Sequence, residues 1–277
     1  MPSPAPSALR LAAAAVSLFV GAVVLNTAYT AVAQESGDID LDDPDLIEEG
    51  EQLFGRSCAL CHGEAGRGIS REAAPEAYGP SLVDVGPASV DFMLRTGRMP
   101  LDNANEQLQH RPQQVSDAER RALVAYVASL GEGGGPPIPD IRGWPDSELS
   151  TGLELFTTNC AACHGPTAAG VAVGQQDVSS PLDDATPLEI AEAIRTGPGV
   201  MPVFGDDVLD QEELESVVHW VMELRDRGSP GGVHLGRSGP VWEGLVAWTL
   251  GIGGLLVVMY LLGEKAEEDE DDVEPNA

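Results

Sequence analysis

The chain has 277 residues with 45 acidic and 15 basic side chains, a formal net charge of −30. So large an acidic excess argues against nucleic acid or an anionic membrane surface as a partner. The length suits two small domains plus tails, and an aromatic content of 5% gives neither much bulky apolar mass of its own.

Met1 to Ala33 has the order of an export segment. A single charge at Arg10 precedes an apolar run from Leu11 to Leu25, then a more polar stretch ending Ala31-Val32-Ala33. Cleavage after Ala33 fits a signal peptide. Retention as an anchor fits equally, since Leu11 to Ala33 is long enough to cross a bilayer as a helix rising about 1.5 Å per residue. Residues 34–43 are acidic and poor in core residues, a solvated linker.

A first domain is expected over residues 44–131. Asp43-Pro44 predicts a helix start with acidic residues in its first turn, and Leu46, Leu53 and Phe54 supply an apolar stripe. Next comes Cys58-Ala59-Leu60-Cys61-His62. Cys-x-x-Cys-His is the attachment signature of c-type haem: two thiols bond the porphyrin edge and the adjacent imidazole becomes an axial iron ligand. Two intervening residues let both sulfurs reach neighbouring edge carbons of one ring and put the next residue over the iron. A lone pentapeptide of this kind also fits a redox dithiol or half a zinc site. Ser89 to Arg95 predicts a short helix closed by Gly97, with Met99-Pro100 just beyond. A polar insertion around Gln107 to Gln114 follows. Ser116-Asp117-Ala118-Glu119 then forms a capping box opening a final helix with Leu123, Tyr126, Val127 and Leu130.

Residues 132–145 are rich in glycine and proline and read as an interdomain linker. The second domain, residues 146–228, repeats the plan. Gly50-x-x-Leu53-Phe54 returns as Gly152-x-x-Leu155-Phe156, and the second motif is Cys160-Ala161-Ala162-Cys163-His164. The offset is 102 residues for the glycines (50, 152), the first cysteines (58, 160), the histidines (62, 164) and the methionines (99, 201). Arg95-Thr96-Gly97 before Met99 is matched by Arg195-Thr196-Gly197 before Met201. A fixed offset means one structural unit used twice. Thr186-Pro187-Leu188-Glu189 is another capping box. Asp210 to Glu213 starts a last helix whose Val217, Trp220, Val221 and Leu224 predict its buried side.

The two motifs use all four cysteines. A zinc site would have to bring its ligands from segments about a hundred residues apart and would leave both histidines unexplained. Two haems c are therefore expected, on Cys58, Cys61, Cys160 and Cys163, with His62/Met99 and His164/Met201 as axial pairs. Histidine with methionine is the axial set of electron-transfer cytochromes and raises the iron potential.

Beyond a juxtamembrane linker, 229–240, residues 241–262 are almost wholly apolar, with Trp242 and Trp248 on the leading side, and predict one membrane-spanning helix rather than a core helix. The tail, 263–277, holds eight acidic residues and one lysine and reads as disordered. Arg225, Arg227 and Arg237 precede the helix and only Lys265 follows it, which by the positive-inside rule puts the haem domains in the cytoplasm. Export and covalent haem require the opposite side, so the expected topology has the haem domains outside and the tail inside.

Other candidates are weaker. His110 lies in the polar insertion without a counterpart in the second half and reads as a surface residue; His219 reads as packing or surface, and His234 lies before the membrane. Met93 and Met222 fall within helices and read as core fillers. Charge is uneven: residues 44–131 carry 13 acidic and 8 basic side chains and residues 146–228 carry 16 and 3, so the second domain is better suited to a basic partner surface.

Each half resembles a class I cytochrome c domain, with its aromatic-bearing first helix, haem motif, Gly-Pro-x-Leu loop and Met-Pro ligand loop. Gly79-Pro80-Ser81-Leu82 fits that loop, and Ser180-Pro181-Leu182 matches it less closely. The resemblance implies an all-α fold of two tandem domains in which the first and last helices cross. It also implies that the carbonyls of Pro80 and Pro181 accept hydrogen bonds from the ligand histidines. The order of export segment, two such domains and one carboxyl-terminal helix entered through Gly239-Pro240-Val241-Trp242-Glu243-Gly244-Leu245 resembles the dihaem cytochrome c subunit of the actinobacterial-type cytochrome bc complex, a quinol–cytochrome c reductase. That resemblance implies cytochrome b and a Rieske iron–sulfur protein as partner subunits and a terminal oxidase as acceptor. A membrane-anchored dihaem carrier serving a dehydrogenase or another oxidase needs the same domains. A haem peroxidase or gas sensor needs an open iron position, which two well-placed methionines oppose.

Overall fold

The structure, a computed structural model, describes residues 39–172, 179–226 and 240–271. The export segment Met1–Ala33, His234 and the end of the acidic tail lie outside the described residues. The chain falls into two compact units dividing between Pro139 and Asp140. Among the described residues all regular structure is helical apart from isolated bridge residues, Ile69 paired with Gly79 in the first unit and Ala172 in the second.

In the first unit α1 spans Pro44–Ser57, α2 Ala59–His62, α3 Pro87–Arg95 and α4 Asp117–Ala128. Each start is written locally. Asp43 caps α1 by accepting from the Asp45 amide at 2.9 Å, with Pro44 in the first turn. Ser116 and Glu119 form the reciprocal capping box of α4. Helix α3 begins at Pro87, two residues before the expected Ser89, because that proline suits a first helical turn. Leu130 lies beyond α4 yet still packs on the first core.

Helices α1 and α4 cross, and Gly50 makes the crossing possible. A Cβ there would stand 2.1 Å from the Ala122 carbonyl oxygen and 2.6 Å from Tyr126 Cβ. Phe54, 2% exposed, then meets Tyr126 with ring centroids 5.2 Å apart. Helix α3 is tied to α4 by charge. Asp91, fully buried, receives Arg95 Nε at 3.0 Å and Nη2 at 2.6 Å, and Arg120 of α4 on its other oxygen.

The second unit repeats this with α5 over Leu149–Asn159, α6 Ala161–His164, α7 Pro187–Thr196 and α8 Gln211–Asp226. Gly152 is the crossing glycine: a Cβ would lie 1.9 Å from the Ser216 carbonyl oxygen and 2.9 Å from Trp220 Cβ. Ala122 and Ser216 therefore hold equivalent positions, which makes Arg120 equivalent to Leu214. Asp91 likewise matches Ala191, counting back from the shared Arg-Thr-Gly. Leu214 and Ala191 are both fully buried in the second core, so apolar residues stand where the first unit has an ion pair. Val217 and Val221 are 2% exposed, and Trp220 and Leu224 pack against the same cluster, the side that the α8 pattern predicts. His219 Nδ1 donates to the Ser147 carbonyl oxygen, 2.9 Å away, and the ring packs edge-on against Trp144.

The segment read as an interdomain linker, 132–145, is bound at both ends. The Glu132 and Gly134 amides donate to the Asp84 carboxylate at 2.9 and 3.2 Å, and the Ala88 amide donates to the Pro136 carbonyl at 3.2 Å. Ile141 and Trp144 pack on the second core. The last helix, α9, spans Pro240–Asp271. Its stretch Gly244–Gly263 has 20 residues of mean hydropathy 2.2, none buried, and at about 1.5 Å per residue reaches roughly 30 Å, the thickness of a bilayer's hydrocarbon core. A core helix would be covered by protein; this one is a candidate membrane span. It continues through Asp271, into the tail expected to be disordered. Glutamate, lysine and alanine are good helix formers, and extending an existing helix needs no new nucleus.

Candidate functional site

The two Cys-x-x-Cys-His segments are each a single helical turn. In the first, the Cys61 and His62 amides donate to the Cys58 carbonyl at 3.2 and 2.9 Å; in the second, those of Cys163 and His164 donate to Cys160 at 3.1 and 2.9 Å. Positions i, i+3 and i+4 share one face, so both thiols and the imidazole look the same way, while Leu60 between them is 75% exposed. Gly63 (φ 73°) and Gly165 (φ 76°) then end each turn in a conformation that favours glycine. The Gly68 and Gly170 amides return to the carbonyls of His62 and His164 at 2.7 and 2.9 Å.

His62 Nδ1 stands 2.8 Å from the Pro80 carbonyl oxygen, as the resemblance implies. His164 departs from that expectation. Its Nδ1 is 3.3 Å from the carbonyl of Ser180, not of Pro181. The reason is that the proline stands one residue before Leu182 but two before Leu82. Leu82 and Leu182 occupy equivalent places, donating from their amides to Gly66 and Ala168, so Pro80 corresponds to Ser180 and Gly79 to Ser179. Aligning the two halves on those leucines, rather than on the Pro-Leu pair, would have found it. The hydroxyl of Ser179 donates to the Cys163 carbonyl, where Gly79 sits against that of Cys61.

Cys58 and Met99 border one apolar cluster with Phe54, Leu94, Leu123 and Leu82. Cys160 and Met201 border the other with Phe156, Ile194, Val217 and Leu182. A cavity beside Cys160 is walled by Leu155, Ile194, Phe204, Leu209 and Val217, with Asn159 as its polar member. Each unit thus brings its first cysteine and its methionine to the same core. Met93 is half-buried and Met222 buried, as core fillers; His110 is exposed.

These residues fit a haem. With Nδ1 engaged by a carbonyl, each imidazole donates there and keeps Nε2 as the free ligand nitrogen. Burial holds His164 below the usual histidine range, against the pull of the Ser180 carbonyl, which favours the neutral ring a metal needs. The four thiols are free of disulfides. The rival readings fit less well. Burial, and then the neighbouring cysteine, push the Cys58 and Cys160 thiols up to about 11, whereas a redox dithiol needs a lowered value. Among the described residues no group of three or more His, Cys, Asp or Glu side chains converges as a zinc site would require.

Comparison with known proteins agrees with this geometry. Residues 47–131 match the family described as cytochrome c, and residues 147–221 that described as cytochrome C oxidase, cbb3-type, subunit III. The chain is 34% identical over 276 residues to the cytochrome bc1 complex cytochrome c subunit of Corynebacterium efficiens, covering 93% of this chain and 90% of that one. The subunit of the same description from Mycobacterium tuberculosis is 33% identical over 268 residues, covering 93% and 90%. Cytochrome c6 of Bryopsis maxima is 37% identical over 86 residues, 29% of this chain and 97% of that protein.

Proposed function

This chain belongs to the cytochrome bc1 complex cytochrome c subunit family, and on that premise we propose that it carries two covalent haems c and relays electrons from a Rieske iron–sulfur protein to a terminal oxidase. The observation that carries the reading is the duplicated site: two thiols and a carbonyl-oriented imidazole on one helical turn, with a methionine on the same core, in both units. The haem supplies the one-electron couple. The chain's own residues do the rest. Cys58, Cys61, Cys160 and Cys163 hold the porphyrin edges. Pro80 and Ser180 orient the imidazoles of His62 and His164 that would bind the iron, and Met99 and Met201 would supply its remaining ligand in each unit. A filled sixth position supports electron transfer and closes the iron to substrates. The chain is then a carrier within an oxidoreductase rather than a catalyst by itself.

Purification through this chain in mild detergent is the test. A b-type cytochrome and a Rieske protein are expected to accompany it, with quinol-dependent reduction of both c haems. Emergence alone, or with a dehydrogenase and no b haem, would remove the reading. A second reading, a dihaem subunit fixed to an oxidase, draws on the cbb3-type match of residues 147–221. Oxidase subunits without a Rieske protein would favour it, and carbon monoxide binding to the reduced native protein would point instead to an open haem.

Helix α9 is the proposed anchor, with the haem domains outside the cell and the tail within. A chain ending at Gly228 is expected to be exported, to acquire haem and to fractionate as soluble. Retention in the membrane would assign anchoring to Leu11–Ala33 instead, and sequencing the mature amino terminus would show whether cleavage follows Ala33.

A further inference from the structure

The two methionine loops are braced by different means. In the second unit the brace is Arg195 of α7. Its Nη1 donates to the carbonyls of Phe204 at 2.9 Å and Leu209 at 2.6 Å, and its Nη2 meets Asp206 at 2.8 Å. The Phe204 amide also returns to the Ile194 carbonyl at 3.0 Å. The chain just after Met201 is thereby fixed to the helix before it. In the first unit the matching Arg95 is taken up by the buried Asp91.

Its place is filled from outside, by the loop over residues 101–114, which includes the polar insertion around Gln107 to Gln114. The Arg111 amide donates to the Thr96 carbonyl at 3.0 Å. Arg111 Nε reaches the Gly97 carbonyl at 3.3 Å and Nη2 the Pro100 carbonyl at 3.5 Å. Gln114 Nε2 donates to the same two carbonyls, at 3.3 and 3.2 Å. Gly97 admits the strap: at φ 62°, a Cβ there would lie 2.3 Å from the Arg111 carbonyl oxygen and 2.5 Å from that of Pro112. The far end of the strap is pinned too. Asn105 Oδ1 accepts from Arg71 Nη2 and from the Tyr78 hydroxyl, with the Arg71 guanidinium 4.8 Å from the Tyr78 ring centroid.

We propose that Arg111 and Gln114 are positioning residues for the axial ligand Met99, holding its loop through the Gly97 and Pro100 carbonyls on either side of it. The proposal rests on Met99 being the ligand. A thioether is neutral and only weakly basic, so its place on iron depends on the loop that presents it. Guanidinium and amide donors on two flanking carbonyls restrain that loop at both ends without touching the sulfur.

The test uses the full-length haem-loaded protein, reading the methionine-to-iron charge-transfer band of the oxidised state and a redox titration. The double variant Arg111→Leu/Gln114→Leu is expected to lose up to about half of the band, the share of one haem in two, and to lower the potential of one haem only. Arg111→Lys with Gln114 retained should keep most of the band. Met99→Leu separates the two questions. A full band in Met99→Leu would overturn Met99 as ligand. Loss of the band's share in Met99→Leu, with band and potentials unchanged in the double variant, would overturn the brace while leaving the ligand in place. If the double variant does not accumulate, Gln114→Leu alone, which keeps the Arg111 contacts, should show a smaller change of the same sign. Band and potentials unchanged in that single variant would overturn the brace equally.

Discussion

Replacing Gly152 by alanine is expected to destabilise the second domain by about 3 kcal/mol, near the upper end of what overpacking a tight contact costs. The added Cβ would lie 1.9 Å from the Ser216 carbonyl oxygen, a backbone atom of the facing helix, so α5 and α8 must move apart to receive it. That separation opens the contact on which Phe156, Val217 and Val221 are buried. In a domain of this size such a loss lowers the unfolding temperature by roughly 10–25 °C. Gly50→Ala should act alike on the first domain, where the facing atom is the Ala122 carbonyl oxygen at 2.1 Å. Gly55 is the internal control. It lies on α1 with nothing within 4 Å of its added Cβ, so Gly55→Ala should stabilise by ~0.5–1 kcal/mol through helix propensity alone. Thermal unfolding of the haem-loaded variants reads all three. A Gly152→Ala protein that unfolds with the parent would mean that the helices do not cross at this residue.

Met201→His is expected to keep its haem and lower that haem's midpoint potential by on the order of 0.1 V, a fraction of the ~0.8 V that axial ligands command. The sign follows from donor strength: imidazole stabilises ferric iron more than the softer thioether does. Attachment should persist because Cys160 and Cys163 sit on α6 and its preceding turn, apart from the Met201 loop. Redox titration of the variant should show one component moved and the other in place. Two unmoved components would remove Met201 from the axial assignment. Met99→His gives the mirror experiment on the first domain.

The features legible in the sequence are those whose partners lie within one turn of chain. Cys58, Cys61 and His62 share a face because the backbone between them closes its own hydrogen bonds. The capping boxes at Ser116 and Thr186 join residues three apart, and both form. The 102-residue offset makes the second domain a copy of the first without knowledge of any contact. Helix α3 begins at Pro87 rather than Ser89, and that proline is a local signal as well.

Features that bring distant residues together have no such signal. Gly50 and Gly152 stand out as repeats in the sequence, but only the crossing of α1 with α4 and α5 with α8 shows what their missing side chains admit. Pro181 stands one residue before Leu182 where Pro80 stands two before Leu82, which hides Ser180 behind the more familiar proline. The tie from Asp91 to Arg120 spans 29 residues, and Arg111 reaches Gly97 across 14; nothing in either stretch of sequence names its partner. The sequence by itself determined the two Cys-x-x-Cys-His motifs, the duplication and the apolar carboxyl-terminal helix, because motif spacing, offset and hydropathy are properties of neighbouring residues. The tertiary structure decided which carbonyl orients His164 and which arginine braces each methionine loop, because those depend on where packed helices place residues far apart in the chain.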